Sequence, residues 1–151
     1  MSFTRTAQAS EWAFYQPTFN TTNNDASLGN GTLQGKWRRN GNSADIIIRF
    51  VWGSTTSGGT GEFRFSVPTN MRIDPSQLPE NSFPARVISS VYLSDAGTAA
   101  NRRTGTIEAV TENLVAIMPN GASTTTATSP FTWVSTDNIQ ISMLIPIIEF
   151  T

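Results

Sequence analysis

The chain has 151 residues with 38% apolar and only 14% charged content, well under the roughly 25% charged residues of an ordinary globular domain. Ten basic and eleven acidic residues leave a net charge of −1, and the single lysine, Lys36, rules out the basic footprint of a nucleic-acid binder. With no cysteine and no histidine there can be no disulfide, no thiolate chemistry, no Ser-His-Asp triad and no His-containing zinc site.

A chain of this length can bury roughly 68–70% of the surface its unfolded form exposes, enough for one self-sufficient core. Thr, Ser, Asn and Gly take the place of the missing charges. They suit short strands and tight turns better than helices, which favour Ala, Leu, Glu and Lys.

Residues 1–11, MSFTRTAQASE, are polar and unpatterned, and are expected to form an arm ahead of a single β-domain spanning 12–151. The start lacks the apolar core of a signal peptide, and no run approaches the roughly 18 apolar residues of a membrane span, so synthesis in a cytoplasm without membrane insertion is expected. Phe3 and Trp12 are the candidate attachment residues of this arm.

Glu11–Phe19 reads as a first strand whose end is demoted to an edge or bend by Pro17. After the Asn- and Gly-rich loop 21–31, three strand-like runs follow: Leu33–Arg39, Ala44–Trp52 and Glu62–Val67. Asn40-Gly41 supplies the positive φ that a tight hairpin needs, and the loop 53–61 is expected to close a second hairpin, giving an antiparallel meander. Within these runs Ile46, Ile48, Phe50 and Trp52 share one face, as do Phe63, Phe65 and Val67, the period-2 pattern of half-buried strands.

The proline-rich connection 68–84 suggests a crossover, with Asp74 capping one helical turn that starts at Pro75. Strands are then predicted at Ala85–Ser94, Thr104–Val110, Leu114–Met118, Phe131–Val134 and Asn138–Glu149, with a surface loop at 119–130. The result is an all-β fold of roughly nine or ten strands, and a two-sheet antiparallel β-sandwich of jelly-roll type is the expected architecture.

Asn138–Glu149, NIQISMLIPIIE, is the most apolar stretch. One face carries Ile139, Ile141, Met143 and Ile145, the other Gln140, Ser142 and Leu144. Exposed, such a strand would aggregate, so it is covered either by the domain's own core or by symmetry mates. The first face is therefore the candidate oligomer interface.

Little else points to chemistry. Lys36 lacks the context of a Ser-Lys dyad, and Gly58-Gly59-Thr60-Gly61 has neither Walker nor Rossmann spacing. Glu62, Glu108 and Glu112 are the strand-associated acids, but nothing pairs them as glycoside hydrolysis requires. Asn23, Asn24 and Asp25 could donate oxygens to a hard cation, although a turn is the simpler account. No enzyme, metal or cofactor is expected. Aromatic faces among Asn- and Thr-rich loops do suit sugars, and Trp37, between Lys36 and Arg38, is the candidate glycan contact.

The segments LGNGTLQGKWRRNG, RFVWGSTTSGGTG and EFRFSVP, flanked by WAFYQPTFN and PFTWVSTDNIQISMLI, resemble a β-domain that recurs in virion proteins of tailed bacteriophages. The resemblance spans most of the chain and rests on turns and strands. It implies a non-enzymatic structural protein of the virion, a homotrimer that also contacts other virion proteins. Two roles fit: capsid decoration, in which the protein cements neighbouring capsomers, and a tail-fibre head that recognises a host surface glycan. Economy of chain length favours the first.

Overall fold

A computed structural model describes residues 11–149. Residues 1–10 of the expected arm, Phe3 among them, lie outside the described residues. Ten strands lie among the described residues: β1 (Ala13–Tyr15), β2 (Phe19–Thr21), β3 (Thr32–Asn40), β4 (Ser43–Val51), β5 (Phe63–Ser66), β6 (Met71–Ile73), β7 (Ala85–Ser94), β8 (Arg103–Ala109), β9 (Leu114–Pro119) and β10 (Asn138–Glu149). Every pairing between them is antiparallel.

The two-sheet expectation is replaced by one continuous sheet, curled into a half-barrel, in the order β1-β3-β4-β10-β7-β8-β9-β5-β2, with β6 added on the end of β10. The curl brings two walls face to face. Phe19 lies on β2, the last strand in the order, and Phe50 on β4, the third, yet their ring centroids are 4.8 Å apart. The chain itself crosses the gap between the two edges. Pro17 interrupts the predicted first strand as expected, and the chain passes from β1 on one edge to β2 on the other. Stitches hold this crossing: Tyr15 Oη donates to Ser66 O (3.0 Å), Gln16 Nε2 to Leu33 O (2.9 Å) and Thr18 N to Ser66 Oγ (2.8 Å). Gly35 makes room for it, since a Cβ there would collide with the Tyr15 ring and Pro17.

The sheet turns its corner between β7 and β8, where the register shifts between Val87 and Val91. Such an irregularity bends and twists a strand at the cost of a ladder hydrogen bond. Ser89 repairs the loss, because its hydroxyl accepts from Ile107 N (2.8 Å). Opposite, Gly105 lets the backbone pass close to Met118 O.

The predicted meander fails at its second hairpin. β3 and β4 do pair around the two-residue loop Gly41-Asn42, with Gly41 at φ 63°. β4 then takes β10 as its other neighbour, while β5 pairs with β2 and β9. Loop 52–62 therefore crosses the core. The predicted alternation holds in both strands, but their apolar faces look at each other: Phe50–Phe65 centroids are 5.9 Å apart and Trp52–Phe63 stack at 5.9 Å. Two large aromatic faces bury more by opposing than by lying side by side in one wall.

Further differences are local. Phe131–Val134 is not a strand; this segment delivers Phe131 and Trp133 into the core, 6% and 4% exposed, where Trp133 stacks on Trp52 at 5.9 Å. The expected surface loop 119–130 is partly interior, for Thr125 is fully buried and its carbonyl accepts from Phe63 N (2.8 Å). Gly58 packs in contact range of Ala127 and Trp52 and is no free hairpin tip. The proline-rich connection hides β6, whose residues pair with Ile147–Glu149. Asp74 caps the helical turn Pro75–Gln77 as predicted, accepting from Ser76 N (3.0 Å).

β10 is the central strand, paired with β4 on one side and β7 on the other. Its face Ile139, Ile141, Met143 and Ile145 is 0–3% exposed and forms the heart of the core. These candidate interface residues point inward, which leaves the other face of β10, Gln140, Ser142 and Leu144, exposed. The reason is the count of apolar residues: the facing wall supplies Phe63, Phe65, Val115 and Ile117, all fully buried, and the two sets close on each other.

Candidate functional site

The outward face of β1, β3, β4, β10 and β7 is where side chains not used by the core collect. Strand register arranges them in rows. One row runs Phe14, Lys36, Ile47, Ser142 and Ser90; a second runs Arg38, Asp45, Leu144 and Ile88; a third runs Gln34, Arg49, Gln140 and Tyr92. Outward positions of a solvated wall are ordinarily polar, so the apolar ones stand out. Phe14 is 86% exposed and Ile88 78%, with Tyr92 and Leu144 also exposed. Shallow grooves run between the rows. One of about 440 Å³ is lined by Trp12, Arg38, Asp45, Ile47, Ile88 and Leu144 among others, and one of about 280 Å³ lies between Phe14, Gln34, Lys36, Ile47 and Arg49.

Trp12 is partly exposed at the margin of this face, with the Arg38 guanidinium 4.6 Å and the Lys36 ammonium 5.4 Å from its ring centroid. Arg38 also binds Asp45 (Nε–Oδ2 2.8 Å). Trp37 falls on the other side of the same strand. It sits between Ala13 and Ile46 in the register and is half-buried against the core, so the aromatic groups open to a ligand on this face are Phe14, Tyr92 and Trp12. Sequence reading overlooked Phe14, Ile47, Arg49 and Ile88 as functional candidates. The signal was present: β4 and β7 carry apolar residues on both alternating sets.

The carboxylates do not converge on a reaction centre. Glu62 accepts from Thr124 Oγ1 (2.9 Å), Glu112 lies 3.8 Å from Arg72, and Glu108 is paired in register with Arg86. Among the described residues no group of three His, Cys, Asp or Glu side chains is placed to hold a metal ion. No helix among them is long and apolar enough to cross a membrane.

Asp25 is occupied within the protein. Thr21 Oγ1 (2.6 Å), Thr60 Oγ1 (2.5 Å) and Thr60 N (2.9 Å to each oxygen) donate to its carboxylate, tying the loop after β2 to the loop before β5. Hydrogen bonds from Thr21 and Thr60 hold its pKa down to about 2 from an ordinary 3.8. A lowered folded pKa means the tie is complete above the unfolded value and is lost as pH falls through the folded one. The amide shift of Thr60 should therefore stay constant down to about pH 4 and titrate towards pH 2. Asp25→Asn should abolish that titration; a Thr60 midpoint near 4 in the native protein would disprove the tie.

The chain is similar to the Mu-like prophage FluMu defective tail fiber protein of Haemophilus influenzae, 28% identical over 130 residues. The match covers 83% of this chain but 19% of that protein, so the chain spans about a fifth of the length of the relative it matches. No protein-family model matches the chain, and no solved structure matches it significantly.

Proposed function

We propose that this chain is a non-enzymatic structural domain of a phage tail fibre, presented on the virion and meeting its partners through the outward face of β1, β3, β4, β10 and β7. The observation that carries the reading is the similarity to a tail fibre protein over 83% of the chain. The expectation of head decoration rested on economy of chain length. That argument loses its force when the matching region is 19% of a longer fibre protein, in which attachment and shaft can belong to other segments. Exposed Phe14, Ile88 and Leu144 support the reading too, because an uncovered apolar patch on a soluble surface marks a contact site.

Two partners share this face in the proposal. Copies of the chain associate as a trimer on the side of Ile88 and Leu144, and a host surface glycan binds on the side of Phe14. The test is immunogold labelling of intact particles with an antibody to the chain, together with sedimentation of the purified protein at micromolar concentration. Label confined to tails and a trimeric mass are expected. Label over the head would return the decoration role, and a monomer would remove the trimer.

A further inference from the structure

The groove between β1, β3 and β4 has a chemical bias of its own. Its lining, Phe14, Gln34, Lys36, Ile47 and Arg49 beside the Gly35 backbone, contains two cations and no carboxylate. Lys36 lies opposite Ile47, and Arg49 lies two residues farther along β4, a diagonal neighbour. Diagonal neighbours of this kind are roughly 7–8 Å apart, with the Cβ atoms somewhat closer, within reach of one small anionic group.

Four arginines elsewhere are matched to acids, Arg38 to Asp45, Arg64 to Glu62, Arg72 to Glu112 and Arg86 to Glu80, while Arg102 and Arg103 donate to backbone carbonyls. Among the described residues neither Lys36 nor Arg49 has an ion-pair partner. Lys36 touches the Trp12 ring (5.4 Å to its centroid), a contact that leaves its charge in place, so in a chain with a charged content of 14% these two neighbouring cations put a local positive field over the groove.

The rest of the lining is not suited to a bare ion. Phe14, 86% exposed, offers a flat apolar face, Ile47 a floor, and Gln34 an amide that both donates and accepts. The volume, about 280 Å³, lies just under the roughly 300–1,000 Å³ of small-molecule sites and suits one or two sugar rings.

We propose that this groove binds an acidic sugar: a pyranose ring lying against Phe14 and Ile47, with its carboxylate or phosphate between Lys36 and Arg49. Arg49 can grip either anion with two parallel N–H donors, while Lys36 supplies a point charge. The anion preference follows from the groove alone. Only the biological source of the sugar, a host surface glycan, rests on the fibre reading.

The test is an NMR titration of the full 151-residue chain at low salt with glucuronic acid, glucose 6-phosphate, glucose, inorganic phosphate and hexaglutamate. Glucuronic acid, glucose 6-phosphate or both should shift the amides of residues 34–36 and 47–49, with dissociation constants of about 1 mM and a loss of affinity as salt is added. Glucose should bind at least about tenfold more weakly, as loss of a charge-assisted bond implies. Arg49→Gln should weaken the acidic sugar to the level of glucose, and Phe14→Ser should weaken it to the level of inorganic phosphate. Both positions are exposed, so an otherwise unchanged spectrum will show the fold intact.

Equal binding of glucose and its acidic derivatives, or no shift with either anion, would overturn the proposal. Inorganic phosphate binding as well as glucose 6-phosphate would remove the ring from it, and tighter binding of hexaglutamate at the same residues would give the groove to an acidic peptide. Tail labelling without anion binding would sink the ligand and keep the fibre. Anion binding without particle label would do the reverse.

Discussion

Replacing Phe50 with alanine is expected to destabilise the protein by about 3–5 kcal/mol, the usual cost of emptying a buried phenylalanine site. The side chain is fully buried on β4 and touches both walls of the curl. Its ring centroid is 4.8 Å from Phe19 of β2, 5.8 Å from Trp52 and 5.9 Å from Phe65 of β5. Removing it deletes apolar area and also the aromatic contact that holds one wall against the other. The cavity cannot close easily, because the backbones around it are tied by the ladders of β3, β10 and β5. Against a typical folding stability of about 5–15 kcal/mol the loss is a large fraction. Urea unfolding followed by tryptophan fluorescence will measure it, since Trp52 and Trp133 report from the same cluster. Phe14→Ala is the control. Phe14 is an equally large side chain, but 86% exposed, and its loss should move the midpoint little. If the two variants unfold alike, Phe50 does not lie between facing walls.

The second large effect is expected at Asp137, a fully buried carboxylate just ahead of β10. Its Oδ1 accepts from Ala96 N (2.9 Å) and its Oδ2 from Val134 N (2.8 Å), while its own carbonyl accepts from Trp52 N (2.8 Å). One residue thus joins the exits of β7 and β4 to the entry of β10. Asp137→Ala removes the carboxylate to which the Ala96 and Val134 amides donate, at about 1.5–3 kcal/mol for each hydrogen bond to a charged group. Asp137→Asn keeps one acceptor oxygen and should fall between the alanine variant and the native protein. Hydrogen exchange gives the sharper readout: protection of Ala96 and Val134 amides should drop in both variants, most in Asp137→Ala. Unchanged protection with native stability would contradict the assignment.

These two sites and the outward face divide the molecule by purpose. Phe50 and Asp137 set the curl and fasten its ends. The face of β1, β3 and β4 contributes nothing to that core through Phe14 or Arg49, which leaves those residues open to substitution. Exposed apolar and unmatched basic groups persist there at no evident benefit to folding, and this is the physical ground for seeking partners on that face.

Local sequence was not enough for the short β6 or the irregular path of 131–134, but it was enough to read the long strands β3, β4, β7 and β10, the tight turn after Asn40, the Asp74 cap and which alternating set of β10 is apolar. Each is a property of a few neighbouring residues, governed by φ preferences, capping or period-2 alternation, so it could be read without knowing what lies nearby. Strand neighbours were decided by tertiary structure. Alternation places Phe50 and Phe63 on apolar faces but is silent on whether those faces lie side by side or look at each other, and the bulge at Val87–Val91 and the crossing at Pro17 let one sheet curl over itself. The same limit governed the candidate site. Trp37 and Phe14 are both aromatic residues next to polar ones; only the pairing of β1 on β3 turns Trp37 towards the core and leaves Phe14 beside Lys36 on the outside. Sequence pattern tells a residue which of its neighbours share its face. Long-range packing decides whether that face meets the core or the solvent.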